Sequence, residues 1–130
     1  MIKTISIISI LFFILQISCN NPTNIYMKNH KIILYNTDEF KKFESNSVIK
    51  LEEAWDIQKK VAIKRNKNPK NWLFFVIDDN YVFTSIFQPK IPEASIGGIW
   101  INSKTGEVKE VNSDICLRYK DAYNGDGKEF

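Results

Sequence analysis

The fold is decided by a stretch that runs from residue 97 to residue 111 and has the sequence Gly-Gly-Ile-Trp-Ile-Asn-Ser-Lys-Thr-Gly-Glu-Val-Lys-Glu-Val. Apolar residues alternate with other residues before a polar turn and return after it, which is the pattern of a β-hairpin. Gly106 can adopt the positive φ that a hairpin loop of three to five residues usually requires. The stretch carries no catalytic group, so it predicts the closing hairpin of a small antiparallel sheet.

Two longer strands are predicted upstream of this hairpin. Residues 72–77, Trp-Leu-Phe-Phe-Val-Ile, are apolar on both faces, and residues 81–87 return after an Asp-Asp-Asn turn. A strand of this kind is either covered on both sides, or covered on one side and used for binding on the other. The sequence leaves these two alternatives open. A short apolar run at residues 31–35 predicts one more strand.

The most regular helical pattern lies between residues 51 and 64. Acidic residues come first and basic residues last, as the helix dipole prefers. A shorter helix is predicted from Asp38 to Phe43, with Thr37 as its N-cap. The predicted fold class is α+β, with one amphipathic helix packed on a three- to four-stranded antiparallel sheet, and we expect Trp55 and Trp72 to share one core. The inward stripe of the long helix, at 3.6-residue spacing, consists of Leu51, Ala54, Trp55, Gln58, Val61 and Ala62.

Composition excludes several classes of function. The chain has 130 residues, and its net charge of +3 is too small to indicate nucleic-acid binding. Its two cysteines and one histidine are too few for a zinc site of four thiolates or for a mechanism that needs a histidine pair. His30 stands in a polar context with no carboxylate indicated nearby, so we interpret it as a solvated loop residue. We predict no catalytic residue, metal site, cofactor or small-molecule substrate, and we do not expect an enzyme.

The N-terminus has the layout of a secretory signal peptide. A short positive segment precedes a hydrophobic run from Ile5 to Ile17, which is too short and too interrupted for a transmembrane helix of about 20 apolar residues. Residues 15–19, Leu-Gln-Ile-Ser-Cys, resemble a bacterial lipoprotein lipobox. This resemblance implies acylation of Cys19 and a membrane anchor in the bacterial cell envelope, facing the periplasm or the outside. If Cys19 is not acylated, a disulfide with Cys116 becomes possible in an oxidising compartment.

These patterns divide the chain into four parts. We expect a lipoprotein signal peptide at residues 1–18 and a small α+β domain at residues 31–123, with its core at 48–111. A flexible tether at residues 19–30 is predicted from the polar run that follows Cys19. Residues 124–130 are predicted to be a flexible tail.

The core of the domain resembles two known families. Leu-Glu-Glu-Ala-Trp opens the predicted helix at residue 51, Trp-Leu-Phe-Phe opens a strand at residue 72, and Lys-Thr-Gly-Glu-Val begins at residue 104, after the glycine-containing strand. Together these motifs resemble the small immunity proteins of bacterial polymorphic-toxin systems, particularly the YrhB-type family. That resemblance implies a non-catalytic protein that binds and neutralises a toxin. The last motif is shared with PepSY domains, which would imply a module that inhibits or assists an envelope peptidase.

Candidate partner-binding residues lie on three surfaces. The first is the proline-punctuated loop at residues 88–95, and the second is the aromatic face of the sheet. The third is the basic loop after the long helix, which is either a contact for an acidic partner or a membrane phosphate, or an ordinary solvated turn. In that order, the residues are Pro89, Ile91 and Pro92; Tyr81, Phe83 and Trp100; and Lys64, Arg65 and Lys67.

Overall fold

The computed structural model describes residues 22–88 and 93–118. In this part of the chain the helices are α1 (Pro22–Asn29), α2 (Asp38–Ser45) and α3 (Leu51–Lys64). None of them is long and apolar enough to cross a membrane. The strands are β1 (Ile32–Ile33), β2 (Leu73–Ile77), β3 (Asn80–Thr84), β4 (Phe87–Gln88), β5 (Glu93–Ser95), β6 (Gly98–Asn102), β7 (Val108–Val111) and β8 (Cys116–Arg118).

The strands form two antiparallel sheets. A central sheet of five strands has the order β1-β2-β3-β6-β7, and a small sheet of three strands has the order β4-β5-β8. The fold class is α+β, as predicted, but the sheet is larger than the expected three to four strands, and three helices replace the single amphipathic helix of that prediction. Strand β1 lies within the apolar run at residues 31–35 that predicted a strand, whereas the strands of the small sheet contain two or three residues each, too few for a hydrophobic period to show in the sequence.

Strand β2 is buried over its whole length, from Leu73 to Ile77. Phe74 and Val76 join Trp72 in a core beneath the helices. The alternate residues Leu73, Phe75 and Ile77 point to the other face and join a second core beneath the small sheet. Of the two alternatives that the sequence left open, the structure shows the first, because both faces of β2 are covered.

Helices α2 and α3 cover one face of the central sheet. The hydroxyl of Thr37 caps α2 as predicted, since it accepts a hydrogen bond from Phe40 N at 3.1 Å. The inward side of α3 is the predicted stripe: three residues are fully buried, and the remaining members pack against the same core at partial exposure. Trp55 and Trp72 both belong to this core, as expected.

The other face of the central sheet is covered by the small sheet and by α1. Ala94 and Leu117 from the small sheet are buried against β2 and β3, and Tyr26 of α1 packs against the same cluster. The prediction of a flexible tether at residues 19–30 is therefore corrected for residues 22–29, which form a helix docked on the domain. The inward residues of this helix are a threonine and a tyrosine rather than an apolar stripe, so the sequence shows no hydrophobic period that would predict the helix.

The hairpin of β6 and β7 confirms the prediction for residues 97–111. Gly106 has a φ of 76°, and its N–H donates to Asn102 O at 2.8 Å. At the other end of β6, a Cβ added to Gly98 would lie 2.0 Å from the carbonyl oxygen of Phe83. Only glycine therefore allows β6 to approach β3 this closely.

One buried polar side chain stands out in the helix-side core. Gln58 is fully buried in the middle of α3, between Ala54 and Ala62. Neither its amide nitrogen nor its amide oxygen has a hydrogen-bond partner in the described part of the chain. An unsatisfied buried polar group costs about 1–3 kcal/mol of folding free energy.

We expect Gln58→Met to raise the free energy of unfolding by about 1–2 kcal/mol, because methionine matches glutamine in length and removes the unsatisfied amide. Urea unfolding followed by circular dichroism measures the change. Lys60→Met on the exposed side of the same helix is the control, with an expected change within about 0.5 kcal/mol. A loss of stability in Gln58→Met would contradict this account of the core.

Candidate partner-binding cleft

A cleft of about 420 Å³ opens where the chain passes between the two sheets. The chain makes this passage three times: after β3 at residues 85–86, after β5 at residues 96–97, and after β7 at residues 112–115. All three passages contribute to the wall of the cleft, and the C-terminal end of α3 lies above them. The cleft is therefore a product of the two-sheet topology.

The end of α3 places two cations at this cleft. Asn66 adopts a left-handed conformation with a φ of 58°. Its N–H donates to Ile63 O at 3.0 Å, and the N–H of Lys67 donates to Ala62 O at 2.9 Å. This is the hydrogen-bond pattern of a Schellman C-cap, which fixes where the chain goes after the helix. Arg65 and Lys67, on either side of Asn66, consequently line the cleft.

Charges of both signs surround the opening. A terminal nitrogen of Arg65 lies 2.7 Å from a carboxylate oxygen of Glu110 on β7. Both side chains are largely exposed, so this ion pair contributes little to stability. Lys67 makes no ion pair within the described residues, and Asp114 also lines the cleft. The surface therefore offers cationic groups without being uniformly basic.

The floor of the cleft is held in place by hydrogen bonds. The indole N–H of Trp72 donates to Asn68 O at 2.7 Å, which ties the basic loop to the buried end of the central sheet. The hydroxyl of Ser95 accepts from Gly97 N at 2.9 Å and donates to Ser113 O at 3.3 Å. These bonds connect two of the three passages, so the cleft is preformed in the folded chain.

An exposed isoleucine marks the edge of this cleft. Ile86 lines it and has 68% of its surface exposed to solvent. Its carbonyl oxygen accepts a hydrogen bond from Ser95 N at 2.9 Å, so the backbone that carries it is fixed. Sequence reasoning missed Ile86, because residues 81–87 were predicted to be one continuous strand, whereas β3 ends at Thr84.

The predicted binding residues have different outcomes. Tyr81 and Phe83 are fully buried beneath α2 and α3, so the prediction that they contact a partner is corrected. The hydroxyl of Tyr81 donates to Ile49 O at 2.7 Å, and burial raises the pKa of Tyr81 to about 12. Trp100 is half-buried against the second core, with its indole N–H donating to Ile96 O at 2.8 Å.

The other predicted residues lie on or beside the basic loop and the proline-punctuated loop. The structure brings Arg65 and Lys67 together at the cleft, and Lys64 is exposed in the last turn of α3. Pro89, Ile91 and Pro92 lie outside the described residues. The binding predictions for the two loops therefore remain predictions. The structure adds that Arg65 and Lys67 line the same cleft.

A second polar cluster joins α1 to the turn between β2 and β3. His30 Nδ1 lies 2.8 Å from Asp78 Oδ2, and the ring of Tyr26 stacks on His30 with 4.1 Å between centroids. The other carboxylate oxygen of Asp78 accepts from Lys31 N at 3.0 Å. His30 therefore has a carboxylate partner, contrary to the interpretation from sequence, which missed it because 48 residues separate the pair.

The cluster alters the acidity of two of its members. Partial burial raises the pKa of Asp78, but the hydrogen bonds from His30 and Lys31, with the charge of His30, outweigh burial, so this pKa lies below its ordinary value. Burial, assisted by the charge of Asp78, raises the pKa of Tyr26. His30 and Asp78 keep 36% and 48% of their side-chain surface exposed, so we interpret the cluster as a clasp for α1.

Because the pKa of Asp78 is lowered on folding, its contribution to stability is present above pH 3.8 and is lost as the pH falls through the lower folded-state value. We expect Asp78→Asn to be less stable than the parent at pH 7 by under about 1 kcal/mol, since the pair is exposed. Asparagine tolerates the φ of 55° at this position. Urea unfolding at pH 7 and at pH 2.5 should show the difference shrinking in acid.

A second substitution serves as the control for this clasp. Adding His30→Gln to Asp78→Asn should cost little more at pH 7 than the loss of the ring stack on Tyr26, because the ion pair has already been removed. A stability difference between Asp78→Asn and the parent that stays constant with pH would contradict the proposed charge effect.

Comparisons with known proteins identified no relative of this chain. No family model, curated protein or solved structure matches the chain. Among the described residues, no group of three or more His, Cys, Asp or Glu side chains could hold a metal ion.

Proposed function

We propose that this chain is a lipid-anchored protein of the bacterial cell envelope that binds and neutralises a proteinaceous toxin. The cleft carries the proposal, because exposed Ile86 lines it together with Arg65 and Lys67. Protein interfaces combine an apolar centre with a polar rim, and arginine is enriched among their hot-spot residues. The partner is expected to present an apolar side chain next to a carboxylate.

Arg65 is suited to recognise such a carboxylate. Only one of its terminal nitrogens bonds to Glu110, and its remaining donors make no hydrogen bond within the described residues. A guanidinium presents five N–H donors in a planar fork, so it can hold an internal carboxylate and a partner's carboxylate together. Lys67, which makes no ion pair in the part of the chain that the structure describes, adds a second cation at the cleft.

The charge pattern favours a protein over a nucleic acid. Binding along a phosphate backbone uses a continuous basic stripe, and its affinity grows with the number of phosphates neutralised. Here Glu110 and Asp114 line the same cleft as the two cations. An alternation of charges of this kind favours selection of one protein surface over others.

The lipid anchor rests on the lipobox-like residues 15–19. Several acyl chains on Cys19, at about 0.8 kcal/mol per buried CH₂, would hold the protein firmly at a membrane. A neutralising protein held in this way would meet a toxin at the cell surface before the toxin reaches its target.

The proposal is tested by growth rescue with the product of the neighbouring gene as the toxin. Co-expression of the full chain should restore growth, and a photo-crosslinking residue at position 86 should capture the toxin, whereas the same residue at exposed Val48 should not. A lack of rescue would contradict the toxin proposal. Capture of an envelope peptidase in place of the toxin would contradict it too, and would favour the PepSY-like alternative.

The triple variant Ile86→Asp, Arg65→Glu, Lys67→Glu should weaken binding by at least about 30-fold, since loss of hot-spot contacts costs about 2 kcal/mol or more. Val48→Asp, Lys41→Glu, Lys60→Glu changes the net charge equally at exposed positions away from the cleft and should keep full affinity. Ile86→Asp alone, which alters no ion pair, should also weaken binding, and circular dichroism of each purified variant checks that the loss does not come from unfolding. Equal rescue by all variants would contradict the assignment of this cleft.

A further inference from the structure

We infer that α1 and the adjoining edge of the small sheet form the surface that faces the lipid bilayer. This inference rests on the proposed acylation of Cys19 and adds to it an orientation of the domain. The occupant of the surface is the headgroup region of the membrane in which the acyl chains are embedded.

The chain between the proposed anchor and helix α1 is short. Helix α1 begins at Pro22, three residues after Cys19, and three residues span at most about 11 Å. The tether predicted from sequence, residues 19–30, would have allowed about 40 Å in its extended form. The start of α1 is therefore confined to the membrane surface whenever Cys19 is acylated.

Helix α1 is fixed to the domain at both ends. Near its start, the hydroxyl of Thr23 donates to the carbonyl oxygen of Cys116 on β8 at 3.1 Å. Just after its end, His30 pairs with Asp78 at 2.8 Å, and between them Tyr26 packs against the second core. Because the helix cannot swing freely, confinement of its start also orients the domain.

The outward side of α1 has a composition that suits a membrane surface. Ile25 lies about 160° around the helix from Thr23 and about 100° from Tyr26, and 51% of its surface is exposed. Lys28, one turn further along, is exposed and makes no ion pair within the described residues. An apolar side chain beside a cation suits the headgroup layer, where anionic lipids attract basic residues.

These contacts alone would be too weak to bind a membrane. An anchor three residues away changes this, because it converts the contact into an intramolecular event at high effective concentration. Helices α2 and α3 lie on the opposite face of the central sheet from α1, so their outer surfaces point away from the bilayer. The exposed side of α3 is thereby left to the aqueous phase.

The test uses the full acylated chain in vesicles of phosphatidylglycerol and phosphatidylethanolamine. Cys116→Ser leaves acylated Cys19 with no free thiol, so an environment-sensitive fluorophore can be placed at Ile25→Cys, Val48→Cys or Ile63→Cys. The two control positions are more exposed than Ile25 and lie in the helix layer. Lipids that carry a nitroxide should quench the fluorophore at residue 25 and leave residues 48 and 63 unquenched.

Mass spectrometry of the purified chain separates the two ways in which this test can fail. A chain without acyl groups on Cys19 would overturn the proposed anchor and this inference together. An acylated chain whose residue 25 is quenched no more than residue 48 would overturn the inference alone, since the anchor would then hold the domain in another orientation.

Discussion

Strand β2 has no face that meets water, and this constraint shapes the rest of the molecule. Adjacent residues Phe74 and Phe75 belong to different cores, one beneath the helices and one beneath the small sheet. Each core needs its own covering layer, because a bare aromatic face of this size would be a site of aggregation or binding. Helices α2 and α3 supply one layer, and the small sheet with α1 supplies the other.

The same constraint decides where a partner can bind. Since both faces of the central sheet are covered, the aromatic residues of β3 are closed to solvent, and the corners where the chain changes sheets form an open cleft. Gly98 permits one of these passages, because its missing side chain lets the strand pass against Phe83. The cleft and its exposed Ile86 arise at these corners. The burial of β2 and the position of the proposed binding cleft thus both follow from the two-sheet topology.

The elements that the sequence could predict are those whose signal is local. The apolar stripe of α3 repeats over four turns, and Thr37 is the N-cap of the helix that directly follows it. Gly106 supplies the positive φ that its own turn requires. The buried state of Tyr81 was beyond sequence reasoning, because a strand with two apolar faces does not say which layers will cover them. The pair of His30 and Asp78 was also hidden, since only the complete fold brings these distant residues together.

The most direct test of this account is the stability of Phe74→Ala and Phe75→Ala, measured by urea unfolding. The two residues are neighbours in sequence, yet each fills a separate buried core. Double burial of β2 predicts that each substitution lowers the free energy of unfolding by about 3–5 kcal/mol. A loss below about 1 kcal/mol for either variant would contradict the account, because the corresponding face of the sheet would then be open and available to a partner.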